Sequence, residues 1–79
     1  MPYRYREDLP HSVQNSLPRP AQDIYIEVFN SAWDEYASPG DRRGNDSREE
    51  VAHKVAWSAV TDNYEKRDGD WIRKPRHNS

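Results

Sequence analysis

The chain has 79 residues, a mass of 9.3 kDa and a formal net charge of -2, which leaves room for one domain and excludes barrels and doubly wound sheets. There is no cysteine, so disulfides, thiolate metal sites and cysteine nucleophiles are excluded. Only 33% of the residues are hydrophobic and mean hydropathy is -1.32, but the near-balanced charge argues against disorder, and three Trp and five Tyr supply large rings for a small core.

The opening residues 1–8 contain no apolar run of the signal-peptide kind. No stretch reaches the roughly 20 apolar residues of a membrane span, so a soluble, cytoplasmic protein is expected. Leu9, Val13 and Leu17 recur at four-residue steps behind Asp8 and Pro10. With Asp8 as cap and Pro10 in the first turn, they predict a short helix over about 10–17 that must dock on something to persist. Pro18 and Pro20 separate it from the next segment. There, apolar groups at 21, 25, 28, 29, 32 and 36 form a 3.6-residue stripe, flanked by Ile24 and Trp33. This predicts an amphipathic helix over Ala21–Ala37, stopped by Ser38-Pro39-Gly40.

A polar loop, Asp41–Asp46, follows. Ser47-Arg48-Glu49-Glu50 then has the form of a capping box, and Val51, Ala52, Val55, Ala56, Ala59 and Val60 continue at helical spacing, with Trp57 and Tyr64 beside them. A helix over about 48–66 is predicted. Tyr3–Arg6 alternates aromatic with basic residues, and Asp70–Arg73 is rich in strand-favouring types. The two ends read equally as a minimal two-stranded ribbon or as coil with its rings tucked onto the core. The expected fold is mainly α: one compact domain over 1–79 with one short and two longer helices, the longer pair antiparallel. An N- and C-terminal segment ribbon is the optional addition. The ordered core is expected over about 3–73, with a mobile tail over about 75–79.

The chemistry in the sequence points away from catalysis. No Ser lies in a Gly-x-Ser-x-Gly turn, no phosphate-cradling glycine loop exists, and His11, His53 and His77 stand singly. Glu49 precedes His53 by one helical turn and could orient its imidazole, but a packed or interfacial, locally hydrogen-bonded His is the favoured reading. Asp41, Asn45, Asp46, Glu49 and Glu50 offer oxygens for a hard cation. Arg42 and Arg43 stand where a calcium loop places ligands, and their charge repels one. No catalytic residue, no metal site and no cofactor is expected. Gln22 and Asn30 fit either helix-end satisfaction or contact with a partner.

The runs Leu9-Pro10, Leu17-Pro18, Ala21–Tyr25, Phe29–Asp34 with Tyr36, Asp41–Arg43 and Ser47–Val60 together resemble the ChaB family of small bacterial proteins, described as cation transport regulators. The resemblance covers roughly residues 1–66. It implies a compact, mainly helical fold with a small sheet, no established catalytic residues, and regulation of a sodium or calcium/proton antiporter through protein contact. The candidate partner surface is basic: Arg4 and Arg6, Arg42 and Arg43 of the loop, and Arg73, Lys74 and Arg76 near the C-terminus. If the two ends pair, the terminal five meet beside Tyr3, Tyr5 and Trp71, and a second class of function arises. Basic groups among aromatic rings bind single-stranded nucleic acid by phosphate contact and stacking, although a sequence pI near 5.9 stands against it.

Overall fold

Prolines, caps and apolar spacing divide the chain much as its pattern predicts. The computed structural model describes residues 2–38, 40 and 46–75. A 3-10 turn over Arg6–Asp8 leads into α1 (His11–Ser16), α2 (Arg19–Glu35), α3 (Arg48–Asn63) and the strands β1 (Tyr64–Arg67) and β2 (Asp70–Arg73). The expected cap of α1 by Asp8 does not form. Its carboxylate accepts from the backbone N–H groups of Arg4 (3.2 Å) and Tyr5 (3.1 Å), closing the 3-10 turn, and α1 starts from the Pro10 carbonyl. Helix α2 begins at Arg19, two residues early, because Pro20 sits in the first turn where its missing N–H costs nothing. Of the capping box predicted for α3, the Ser47 half forms: the Glu50 N–H donates to Ser47 Oγ at 3.1 Å, without a return bond from the Glu50 side chain.

Helices α2 and α3 run antiparallel. Arg48 at the start of α3 meets Trp33 near the end of α2, and His53 further along meets Tyr25 nearer its start. The core lies between them and under α1: Leu9, Val13, Leu17, Ala21, Tyr25, Phe29, Ala32, Ala52, Ala56, Val60 and Tyr64 are all buried. Small Ala52 and Ala56 on α3 leave room for the Tyr25 and Phe29 rings, which with Val60 are the largest fully buried side chains. These rings carry much of the stability, since each buries on the order of 150–250 Å² of largely apolar surface.

The predicted two-stranded sheet exists, but its strands are not the two chain ends. β1 and β2 form an antiparallel hairpin with Tyr64 opposite Arg73, Glu65 opposite Ile72, Lys66 opposite Trp71 and Arg67 opposite Asp70. Two residues close it, Asp68 at φ 50° and Gly69 at φ 88°. Positive φ at both positions is the type I′ turn, whose twist matches that of paired strands and which Asp-Gly favours. The third helix therefore stops at Asn63, three residues short of the predicted 66. Tyr64 leaves the helix and still buries its ring as the first inward residue of β1. The N-terminal Tyr3–Arg6 forms no strand. Residues 76–79 of the tail predicted over about 75–79, and 41–45 of the loop predicted over 41–46, lie outside the described residues.

Gly69→Ala forces a Cβ into the left-handed region and is expected to weaken the hairpin by about 1 kcal/mol. Faster amide exchange across Tyr64–Arg73, with α2 and α3 protection unchanged, is the expected readout.

Candidate functional site

The N-terminal segment is held as a strap along α2 by side chains standing in for backbone partners. Asn30, nearly buried, accepts from the Tyr3 N–H (3.1 Å) and donates from Nδ2 to the Tyr3 carbonyl (2.7 Å), which completes both polar groups of that residue. Gln22 donates to the carbonyls of Leu17 (2.8 Å) and Gln14 (3.1 Å) at the end of α1. Gln14 in turn donates to the carbonyls of Leu9 (2.7 Å) and Glu7 (3.2 Å). Both polar residues that the sequence left undecided thus satisfy internal carbonyls or the strap. Arg6 forms a two-pronged ion pair with Asp23, Nε to Oδ1 at 2.8 Å and Nη2 to Oδ2 at 2.6 Å.

That hydrogen-bonded guanidinium holds the Asp23 carboxyl below the usual carboxylate range, against the opposing effect of desolvation. A carboxylate whose pKa is lowered in the folded state stabilises that state above its ordinary range, and the contribution disappears as pH falls through the lowered value. The strap is therefore expected to hold through the ordinary carboxylate range, near pH ~4, and to loosen only in stronger acid. In Asp23→Asn this acid-dependent step should vanish, which an NMR pH titration of the strap amides reads directly.

Between the strap and the outward face of α2 lies an open groove of about 620 Å³, lined by Arg4, Glu7, Glu27 and Asp34 among others, with Tyr5 60% exposed at its rim. On the other side of the strap, rings form a continuous ladder. Trp33 stacks on Phe29 (6.1 Å between centroids), Phe29 on Tyr25 (5.6 Å), and Tyr3 leans on Phe29 at 4.7 Å. Tyr25 meets His53 (5.7 Å), His53 stacks on Trp57 (5.8 Å), and Trp57 meets Trp71 of the hairpin edge-on (5.8 Å). The Arg48 guanidinium covers Trp33 at 4.2 Å and donates from Nε to the Trp33 carbonyl (2.6 Å). Burial, with smaller contributions from Tyr3 and Glu49, pushes the Tyr25 phenol well above the ordinary tyrosine value. The phenol stays protonated, and its oxygen lies 2.7 Å from His53 Nδ1. When the imidazole is neutral with its proton on Nε2, the Tyr25 O–H donates to Nδ1. His53 is thus oriented by a buried tyrosine and not by Glu49, and no nucleophile lies in this chain of contacts.

The candidate basic residues fall into separate places. Arg4 is exposed on the groove rim and Arg6 is committed to Asp23. Arg73 ends β2 opposite Tyr64, and Lys74 follows it, its backbone N–H donating to the Asn63 carbonyl at 2.8 Å. Because β2 pairs with β1, the strand pairing that would gather the two ends does not form. Arg42, Arg43 and Arg76 lie outside the described residues. Two things escaped the sequence reading. One is the Asp68-Gly69 turn, whose signal was present. The other is Lys66, which the turn places directly opposite Trp71, 5.7 Å from its ring.

Among the described residues no helix is long and apolar enough to cross a membrane, and no group of three or more His, Asp or Glu is placed to hold a metal ion. The described residues form a compact, mainly helical domain of three helices closed by a hairpin, with internal polar ties and open surface grooves. The chain belongs to the ChaB family, whose model matches residues 9–74. It is 59% identical over 75 residues to the Escherichia coli K12 protein called "Putative cation transport regulator ChaB", covering 94% of this chain and 99% of that one. The Shigella flexneri protein of the same name matches equally. A solution NMR structure of a protein under that name superposes with a TM-score of 0.75 at 56% identity, over 94% of this chain and all of the other.

Proposed function

We propose that this protein is a non-enzymatic regulator that acts by docking on another protein, and that its target is a membrane cation/proton antiporter met on the cytoplasmic side. The observation that carries this reading is the near end-to-end likeness to relatives named for cation transport regulation, 94% of this chain against 99% of theirs. Two features support docking: Asn30, Gln22 and Gln14 are engaged in holding the strap and the end of α1, and open grooves line the surface. Regulation would work by bias. A domain that binds one conformation of a transporter better than another shifts the balance by the difference in affinity. Arg4, Arg73 and Lys74 stay exposed and belong to the proposed partner-facing surface, with Arg42, Arg43 and Arg76 from the remaining basic set. Nucleic-acid binding loses its main support, because the terminal basic and aromatic residues are not drawn together by strand pairing.

Crosslinking the tagged protein in cells, then recovering it from solubilised membranes with and without nuclease, tests the assignment. Enrichment of a cation/proton antiporter that survives nuclease is expected. Enrichment of only nucleic-acid-associated proteins, lost on nuclease treatment, would overturn it.

A further inference from the structure

Beside the strap, at the start of α3, lies a second groove of about 420 Å³. Tyr3 offers a half-buried ring to it, over the buried Tyr25 and Phe29, and Glu49, Glu50 and His53 line its α3 side. No Lys or Arg is among its described lining residues, and among the described residues neither glutamate has an ion-pair partner. Burial is the main cause that raises the Tyr3 and Tyr25 phenols, and the Glu49 charge adds to it, so that charge is felt at both residues. Carboxylates and the exposed face of the Tyr3 ring each attract a cation, the first by charge and hydrogen bonding and the second through the ring quadrupole. A groove that combines them suits a planar guanidinium better than a neutral or anionic group.

We propose that this groove receives an arginine or lysine side chain from a basic loop of the protein partner. The inference deepens the docking reading and rests on it. Charge complementarity selects the occupant, and the cytoplasmic loops of membrane proteins are enriched in Lys and Arg, so an antiporter met on that side presents suitable side chains. The groove is also preformed. The Asn30 clasp fixes Tyr3, the Ser47 cap fixes the first turn of α3, and the Tyr25–His53 hydrogen bond ties the two walls together. A cation entering it has little to reorganise.

The test is an amide NMR titration of the full chain with the capped peptide Gly-Leu-Arg-Arg-Leu-Gly, and with the same peptide carrying citrulline at both arginines. The expected result is shift changes confined to Tyr3, Val13, Tyr25, Phe29 and Ser47–His53, with at least tenfold weaker binding of the citrulline peptide. The double variant Glu49→Gln, Glu50→Gln keeps the side-chain size and the cap geometry, and should lose at least tenfold in affinity at unchanged fold. Equal binding of both peptides, or shifts on the opposite groove near Glu27 and Asp34, overturns the proposal. So does an Arg42→Gln, Arg43→Gln variant whose spectrum changes at this groove without peptide, since the occupant is then the chain's own loop. Shifts that grow with protein concentration alone would make a second copy the occupant and overturn it equally. If the glutamate double variant loses the peptide but still crosslinks the antiporter, this groove is not the docking site and the regulator reading stands. If the peptide binds as described but the wild-type chain crosslinks no antiporter, the cation recognition holds and the regulator reading falls.

Discussion

Phe29→Ala is expected to lower stability by about 3–5 kcal/mol, the range for removing a large ring from a packed core. Phe29 is fully buried and touches three other rings: Tyr3, Tyr25 and Trp33. Its loss opens a cavity that also undercuts the strap, because Tyr3 leans on it from above. A domain of this size has a total stability of the same order, so the variant should be largely unfolded at 25 °C. Urea unfolding followed by circular dichroism measures this. Trp33→Ala gives the contrast: that ring is only half-buried, and its removal should cost less and leave a folded chain with a shifted midpoint.

The second large effect is local. Asn30→Ala removes both hydrogen bonds to Tyr3 and leaves its N–H and carbonyl to find water. A cost of about 1–3 kcal/mol is expected for this loss. The damage should concentrate in the strap. Amides from Tyr3 to Leu9 should exchange faster, while Ala52, Ala56 and Val60 keep most of their protection. Asn30→Asp retains the acceptor for the Tyr3 N–H but places a carboxylate against the Tyr3 carbonyl, so it should not restore the wild-type pattern. Equal exchange acceleration throughout the chain would show that Asn30 supports the whole core and not the strap.

The helices were legible because their burial follows simple spacing. Leu9, Val13 and Leu17 are buried as their four-residue steps require, as are Ala21, Tyr25, Phe29 and Ala32 of the α2 stripe. The end of α3 was misjudged for a physical reason. Tyr64 lies four residues after Val60, so it continues the apolar face of a helix and equally starts an inward-facing strand position. Asp68-Gly69 decides between them by making a tight return turn, and that dipeptide was the available signal. The strap was not legible at all. Its ties run from Asn30 and Arg6 across 27 and 17 residues, and no local pattern reports a polar side chain that replaces a missing strand partner.

The surface was harder to read than the core. Counting basic residues drew attention to the two chain ends, yet the fold gives Arg6 to Asp23 and sends Arg73 and Lys74 onto a self-paired hairpin. The aromatic and acidic groove draws on the strap, α1, α2 and α3. Glu49 and Tyr25 are 24 positions apart in the sequence, and periodicity assigns one to a helix start and the other to a core stripe. Only packing joins them. The single residue that links both walls, His53, was recognised as locally hydrogen-bonded, but its partner is the Tyr25 phenol.

Regulation of a transporter by direct contact, as proposed, makes a prediction for transport itself. Its most direct test is cation-driven proton exchange in proteoliposomes that hold only a purified cation/proton antiporter, with this protein added to the cytoplasmic face. A saturable change in exchange rate or in cation dependence is expected, diminished by the Glu49→Gln, Glu50→Gln variant. Exchange that stays the same at every protein concentration, in liposomes whose antiporter is otherwise active, would contradict it.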